Sequence, residues 1–322
     1  MISKRKPIVF MFSGQGSQYY GMGKELYNSN SRFRTWMDYC DEIIAEEISI
    51  SIIQHLFSDE FGIADSFDDI TLTNPALVAI EYCLAKILIE EGIKPGCLVG
   101  YSLGELSAAV IADAVSIEQG LSYSIRLARH IKKYVQQAGM LSVISDPDIY
   151  QRQPDLFSGT TIAGYNFHSG FVVSGSNSDL QKLKNRLQRL GIASHELAVK
   201  YGFHSAAIDG FRERFLTSEP WLVAQPGKIK MMSACTVDEV TEITQPYLWR
   251  IIREPVQFQQ LIECMAGKSD YYFIDVGPSA TLATFLKYIL RDYPGSTTFE
   301  TINPFGHDLK AINRLLQSFT AI

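Results

Sequence analysis

Ser102 has the surroundings in this chain that most invite chemistry. It lies in Gly100-Tyr101-Ser102-Leu103-Gly104-Glu105, directly after the apolar run Cys97-Leu98-Val99 and before a stretch with helical patterning. A Gly-x-Ser-x-Gly turn between strand and helix holds its serine in a sharp, exposed elbow, and the helix that follows points free N–H groups at the reacting centre. The same five residues also describe an ordinary strand–turn–helix junction. A serine hydroxyl becomes a nucleophile only when a positioned base takes its proton. Of the six histidines, His55, His130, His168 and His195 read as surface or structural residues, and two are better placed. His204, in Tyr201-Gly202-Phe203-His204-Ser205, stands where the chain returns from one compositional zone to another. His307, with Asp275, supplies a Ser–Asp–His order that suits an α/β-hydrolase. Spacing alone does not choose between them. A second turn, Met11-Phe12-Ser13-Gly14-Gln15-Gly16-Ser17-Gln18, is too rich in glycine and amide for a plain connector, and no Gly-Lys-Ser/Thr follows to make it a phosphate loop. Placed beside the elbow, backbone N–H groups of Gln15 and Leu103 would hold the anion formed when a hydroxyl attacks a carbonyl.

These groups need a scaffold, and 322 residues suffice for one domain with an insertion or for two unequal domains. Over 1–138, apolar strands alternate with helical stretches: strands at 7–13 and 97–101, helices at 21–28, 31–53, 74–91, 104–114 and 117–137. Between 139 and 200 short strands dominate, at 140–145, 160–165, 171–175 and 195–199, with one clear helix at 177–190 and one possible helical turn near 148–156. The longer pattern resumes over 201–322, with helices at 205–216, 257–266, 280–290 and 309–319 and strands at 228–233 and 272–276. The expected fold is therefore α/β: a large hydrolase-like domain (1–138 and 201–322) with a parallel central sheet, carrying an inserted small ferredoxin-like α+β subdomain (139–200).

Composition excludes several classes. Hydrophobic residues at 46% and charged residues at 20% are those of a globular chain, and a net charge of −6 argues against nucleic acid as a partner. No apolar run approaches the roughly 20 residues needed to cross a bilayer. Lys4-Arg5-Lys6 resembles a signal-peptide start, but the apolar stretch after it is too short, so a cytoplasmic protein with no membrane partner is expected. The five cysteines form no Cys-x-x-Cys pair, which indicates neither a disulfide framework nor a zinc site.

Taken together, the motifs resemble the malonyl-CoA:acyl-carrier-protein transacylase family, which includes the acyltransferases of polyketide synthases. The likeness runs nearly end to end. Phe12–Gln18 resembles Phe-Pro-Gly-Gln-Gly-x-Gln, Gly100–Glu105 resembles Gly-His-Ser-Leu-Gly-Glu, and Phe203-His204-Ser205 matches Phe-His-Ser. Asn166 with Val172-Val173-Ser174-Gly175 resembles the small-subdomain pattern, while Pro255-Val256-Gln257-Phe258 and Asp275-Val276-Gly277-Pro278 resemble the C-terminal ones. The resemblance implies Ser102 as nucleophile, His204 as base, the Gln15 and Leu103 amides as oxyanion donors and the Gln257 backbone carbonyl as the group that orients the histidine. It leaves His307 and Asp275 structural. It implies acyl carrier protein, loaded through its phosphopantetheinyl thioester, or acyl-CoA as partner, and no metal or organic cofactor. Two basic stretches, Arg126-Arg129-Lys132-Lys133 and Lys182-Lys184-Arg186-Arg189, are candidates to meet an acidic carrier, or are ordinary solvated helix faces.

The departures from the pattern are informative. Malonyl-transferring relatives carry an arginine 25 residues after the nucleophile to grip the free carboxylate; here that position is Leu127, flanked by Arg126 and Arg129, which lie about 100–200° away around a helix. Tyr101 replaces a histidine, Asn74 replaces a glutamine, and Tyr201-Gly202 precede Phe203, where malonyl enzymes often carry Gly/His-Ala. Leu127, Tyr101, Asn74, Phe203 and Asn166 are thus the candidate substrate-contacting residues, and the set points to an acyl group without a carboxylate. The combination resembles stand-alone acyltransferase homologues found beside trans-acyltransferase polyketide synthases, thought to release stalled acyl groups by hydrolysis. The alternatives are a transferase that loads malonyl or another acyl group, and an idle docking partner, which the presence of Ser102, His204 and Gln15 disfavours.

Overall fold

A computed structural model describes residues 6–217 and 221–320, so Lys4 and Arg5 of the basic start lie outside the described residues. Its helices are α1 Lys24–Ser29, α2 Ser31–Ile48, α3 Ile52–Leu56, α4 Ile70–Glu90, α5 Gly104–Ile111, α6 Ile117–Tyr134, α7 Ile149–Arg152, α8 Asn177–Arg189, α9 Arg212–Thr217, α10 Gln245–Arg253, α11 Phe258–Ala266, α12 Thr281–Ile289 and α13 Asp308–Thr320. Its strands are β1 Ile8–Phe12, β2 Cys97–Gly100, β3 Gly139–Val143, β4 Thr160–Phe167, β5 Gly170–Gly175, β6 Ser194–Glu196, β7 Lys230–Ser233, β8 Asp238–Glu239, β9 Tyr272–Asp275 and β10 Thr297–Glu300.

The larger sheet runs β10-β9-β1-β2-β7-β8 and is parallel except at the β7–β8 pair. Side chains alternate across a strand, so the apolar central strands bury both faces. Phe10, Phe12 and Leu98 join the core formed with α2, α4 and α5, while Val9, Met11 and Val99 pack against Phe258, Leu261 and Leu286 of α11 and α12. This sheet delivers the C-terminal ends of β1 and β2 side by side, the edge of an α/β sheet where ligands bind.

The smaller sheet is antiparallel throughout, in the order β4-β5-β3-β6. That is the strand order of a ferredoxin-like sandwich, with α7 reduced to a single turn in the place of its first helix. Leu141, Val143, Phe171 and Val173 face Leu180, Leu183 and Leu187 of α8. The alternate residues Met140, Ser142 and Val172 face the large domain across a cavity.

Several boundaries differ from the sequence expectation for local reasons. The helix expected over 31–53 breaks at Ser49, which is left-handed (φ 58°), and Ser51 caps α3. The helix expected from 74 starts at Ile70, because the Asp69 carboxylate accepts the Thr71 N–H at 3.0 Å; Pro75 then falls inside the helix. The segment 205–216 opens as a 3₁₀ turn over Ala206–Phe211 before α9. No helix was expected over α10, and neither β8 nor β10 was foreseen. α4 also corrects the reading of apolar runs: by length and composition it is long and apolar enough to cross a membrane, with a mean hydropathy of 1.5, but that window is 83% buried. It is the core helix on which α2, α5 and α6 pack.

Candidate active site

The turn after β2 is forced by close approaches. A Cβ at Gly100 would lie 2.3 Å from Glu105 Cα, and one at Gly104 would lie 2.1 Å from Phe12 O, so only glycine fits at either position. Between them Ser102 takes φ 54°, a left-handed conformation that costs a residue with a side chain about 1–3 kcal/mol and recurs at functional turns. The turn after β1 rests directly on this elbow: a Cβ at Gly14 would meet Tyr101 O at 2.8 Å and Ser102 Cβ at 3.1 Å.

His204 is the histidine that reaches the serine. Its Nε2 lies 2.9 Å from Ser102 Oγ, and its Nδ1 lies 2.8 Å from the Glu254 carbonyl oxygen. A carbonyl only accepts, so Nδ1 carries the proton and Nε2 is the free acceptor facing the hydroxyl. Glu254 ends α10, where the helix dipole places partial negative charge beside the ring. His204 is itself left-handed (φ 59°), and its N–H donates to Ile252 O at 2.9 Å, a second tie to the same helix end. Ser174 Oγ of β5 donates to Phe203 O, fastening the segment to the small sheet. Burial pushes the His204 imidazole down to about 4, partly offset by its bond to Glu254, so the ring is neutral at physiological pH.

This geometry corrects the role expected of Gln257. The carbonyl that orients His204 is that of Glu254; Gln257 caps α11, its N–H donates to Ala234 O and its carbonyl takes the Leu261 N–H. The cause is α10, which brings its own C-terminus to the ring. Nor does a Ser–Asp–His set form. Asp275 is buried and accepts the N–H groups of Gly277 and Ala283, whereas His307 lies exposed. Burial raises the Asp275 carboxyl to about 7.

The Gln15 turn is fastened to α4 at two places. The Gln15 side-chain amide donates to Thr73 Oγ1 (3.0 Å) and to Asn74 Oδ1, and the Ser13 N–H donates to Glu81 Oε1 at 2.6 Å. Among the described residues, no protein acceptor takes the backbone N–H of Gln15 or of Leu103. Glu105, at the foot of α5, accepts from Ser233 Oγ (2.8 Å), Cys235 N–H (3.3 Å) and the Tyr247 hydroxyl, linking α5 to α10. Burial, opposed by these bonds, lifts its carboxyl to about 7.

A cavity of about 320 Å³ opens above Ser102 between the two sheets. Tyr101, Asn166, Phe203 and His204 line it with Met140, Val172, Leu197 and Phe285, and no lysine or arginine is among the described residues that do. The Tyr101 hydroxyl donates to Asn166 Oδ1 at 2.8 Å, joining the elbow to the small sheet. Two expected lining residues do not reach the cavity. Asn74 is buried behind the Gln15 turn, and Leu127 lies deeper still, because α6 packs along α4 and it is the Gln15 turn, backed by α4, that faces the opening. Arg126 turns to the Trp221 carbonyl and ring, and Arg129 to Glu47 O, so neither guanidinium enters. His195, read from sequence as peripheral, lines the cavity from the exposed edge of β6. Sequence reasoning also missed Glu254 and Glu81. For Glu254 a signal existed: Thr244-Gln245-Pro246 is a helix start, with Thr244 capping the Tyr247 N–H.

Fold and site together are those of an acyl transferase domain, and the chain belongs to that family: the family's pattern matches residues 9–318. Among its relatives, the polyketide biosynthesis acyltransferase homolog BaeD of Bacillus velezensis is 36% identical over 88% of this chain and 88% of its own. The corresponding homolog PksD of Bacillus subtilis is 34% identical over 96% and 95%. In fold, a loading acyltransferase from the avermectin modular polyketide synthase superposes with a TM-score of 0.88 (22% identity; 97% of this chain, 99% of that one). The malonyl CoA-acyl carrier protein transacylase of Clostridium perfringens does so at 0.78 (23% identity; 98% of each).

Proposed function

We propose that this protein acts in polyketide biosynthesis by taking acyl groups from acyl-carrier-protein thioesters onto Ser102 and releasing non-carboxylated ones to water. Carriage by a protein partner follows the relatives' named pathway and the carrier-protein substrate of the structural neighbour. Ser102 Oγ attacks the thioester carbon while His204 Nε2 takes its proton; the Gln15 and Leu103 amides hold the oxyanion. The tetrahedral species collapses as Nε2 returns the proton to the departing sulfur, leaving an ester on Ser102. Water then enters, His204 removes its proton, and Ser102 leaves reprotonated, with free acid as product.

The observation that carries this reading is the Ser102–His204–Glu254 carbonyl chain, closed at 2.9 and 2.8 Å, in a cavity where the described lining residues include no basic side chain beyond the histidines. A malonyl carboxylate placed there would have no guanidinium to pair with, a loss typically worth about 3–5 kcal/mol. Of the eight cations in the two basic stretches, three pair with carboxylates, Lys132 with Asp69, Lys182 with Asp179 and Lys184 with Glu196, which leaves the others to meet an acidic carrier. The alternative, a transferase loading malonyl or another acyl group, keeps the same acyl-enzyme and differs in cargo and acceptor. Incubation with malonyl-, acetyl- and longer acyl-carrier-protein thioesters, followed by intact mass, separates the two. The proposal expects acetyl or longer adducts that appear and decay to free acid. A malonyl adduct that persists until an acceptor thiol arrives overturns it.

A further inference from the structure

Glu81 is buried in the middle of α4 and has no part in the mechanism above, yet it touches the turn on which that mechanism depends. Its Oε1 takes the Ser13 N–H at 2.6 Å and lies 2.9 Å from Ser13 Oγ; Ser13 Oγ lies 2.8 Å from Ser17 Oγ, and Ser17 Oγ lies 2.7 Å from the Gly14 carbonyl. Asn74, which holds the Gln15 side chain, sits two helical turns earlier on the same face of α4. The turn carrying the Gln15 amide is therefore pinned at Ser13 by Glu81 and at Gln15 by Asn74.

The hydroxyl chain also counts protons. Three close oxygen contacts, Glu81 to Ser13, Ser13 to Ser17 and Ser17 to Gly14, need three hydrogens, and the two serines supply only two. With Glu81 ionised, Ser13 Oγ donates to its Oε1 and the Ser13–Ser17 contact lacks a hydrogen. A proton on Glu81 supplies the third, reversing that contact so that Glu81 donates to Ser13 Oγ, Ser13 to Ser17 Oγ and Ser17 to Gly14 O. We infer that Glu81 is a positioning residue for acyl transfer, holding the Gln15 amide at the oxyanion through a neutral carboxyl and the Ser13–Ser17–Gly14 chain. The surroundings agree. Burial outweighs the hydroxyls of Ser107 and Ser13 and the Ser13 N–H, which favour the charged form of Glu81. The charged group that faces Glu81 is Asp275 of β9, whose field, together with burial as the larger cause, raises the Glu81 carboxyl to about 8. Raising the pH through that value removes the chain's third proton and places an anion behind the turn.

The inference rests on Ser102 as nucleophile, and the experiment keeps the two apart. Acylation by S-acetyl N-acetylcysteamine is followed by intact mass at pH 6 to 9.5 for the wild type, Glu81→Gln and Glu81→Leu, with Ser102→Ala as the blank. Wild type that forms no adduct beyond the Ser102→Ala blank indicts the nucleophile instead. If Ser102 is acylated, Glu81→Leu lowers the maximal rate at least 10-fold with KM within about twofold, since it orphans the Ser13 N–H and loosens only the oxyanion turn. Glu81→Gln still accepts that N–H and recovers the rate to within about fivefold, but without the decline that wild type shows above pH 8. Glu81→Leu at the wild-type rate overturns the inference, as does an alkaline decline that persists unchanged in Glu81→Gln. Should Glu81→Leu not fold, the pH profile of Glu81→Gln decides alone.

Discussion

Gly14→Ala tests whether the contact between the two turns sets the oxyanion site. The new Cβ would stand 2.8 Å from Tyr101 O and 3.1 Å from Ser102 Cβ, and both neighbours belong to the elbow that Gly100 and Gly104 lock in place. The Gln15 turn must therefore retreat, by roughly half an ångström to regain ordinary contact. An oxyanion donor works over a window of only about 0.4 Å, near 2.7–3.1 Å, and losing one outright costs about 10²–10³ in rate. Partial withdrawal of the Gln15 amide, with Leu103 undisturbed, should cost about 10–100-fold, or roughly 1.4–2.7 kcal/mol of barrier. The assay is single-turnover acylation of Ser102 by S-acetyl N-acetylcysteamine, with thermal unfolding run in parallel. Fold should survive, because Gly14 does not take a positive φ and Glu81 still grips Ser13. A folded Gly14→Ala protein that acylates at the wild-type rate would refute the placement of the oxyanion site between these turns.

Three further outcomes follow from the site. His204 is held near 4, so kcat/KM should stay flat down through pH 6 and fall only toward pH 4. The unfolded imidazole, near its ordinary 6.5, binds the proton first, so His204 by itself takes stability away as pH drops from 6.5 to 4, while the raised carboxyls of Glu81, Glu105 and Asp275 work in the opposite direction; denaturant titrations of wild type and His204→Ala across that window isolate the histidine's share as the difference between them. Tyr101→Phe leaves Asn166 Oδ1 without its partner and should destabilise by about 1–3 kcal/mol, read as a lower denaturation midpoint. Leu127→Arg places a charge in the α4–α6 core, 2% exposed, so its melting temperature should fall sharply while malonyl adducts on Ser102 stay absent; efficient malonyl loading by a well-folded variant would show that this position reaches the cavity after all.

How much of this was legible in the chain depended on how local the cause was. The elbow was readable because Gly100 answers to Glu105, five residues on, and the Gly-x-Ser-x-Gly spacing marks the turn, although Gly104 is constrained by Phe12 far off in sequence; β1 and β2 were readable because their runs are apolar on both faces. The small sheet was readable through its alternation, which divides Leu141 and Val143 from Met140 and Ser142. His204 was one of two open choices until the motifs were taken together, since its pairing with Ser102 joins distant parts of the chain. Glu254 and Glu81 act through partners far off in sequence: a carbonyl carries no side-chain signature, and a lone glutamate in an apolar helix gives no hint of the serine it meets. Leu127 was placed at the cavity by counting 25 residues from Ser102 to the position of the relatives' arginine, a count that carries no depth; α4 and the Gln15 turn fill the space between. α10 was missed although Thr244 and Pro246 mark its start, because its nine residues carry four bulky apolar ones among charges without a clean break from the loop before.

The most direct test of the account is to locate the acyl group. The protein is mixed with acetyl-carrier-protein thioester, quenched within one turnover, digested, and its peptides sequenced by tandem mass spectrometry. The account predicts an acetyl ester on Ser102, absent in Ser102→Ala and at least 100-fold slower to form in His204→Ala, with malonyl-carrier protein giving little or none. An adduct on another residue, or Ser102 loaded with malonyl in preference to acetyl, would contradict it.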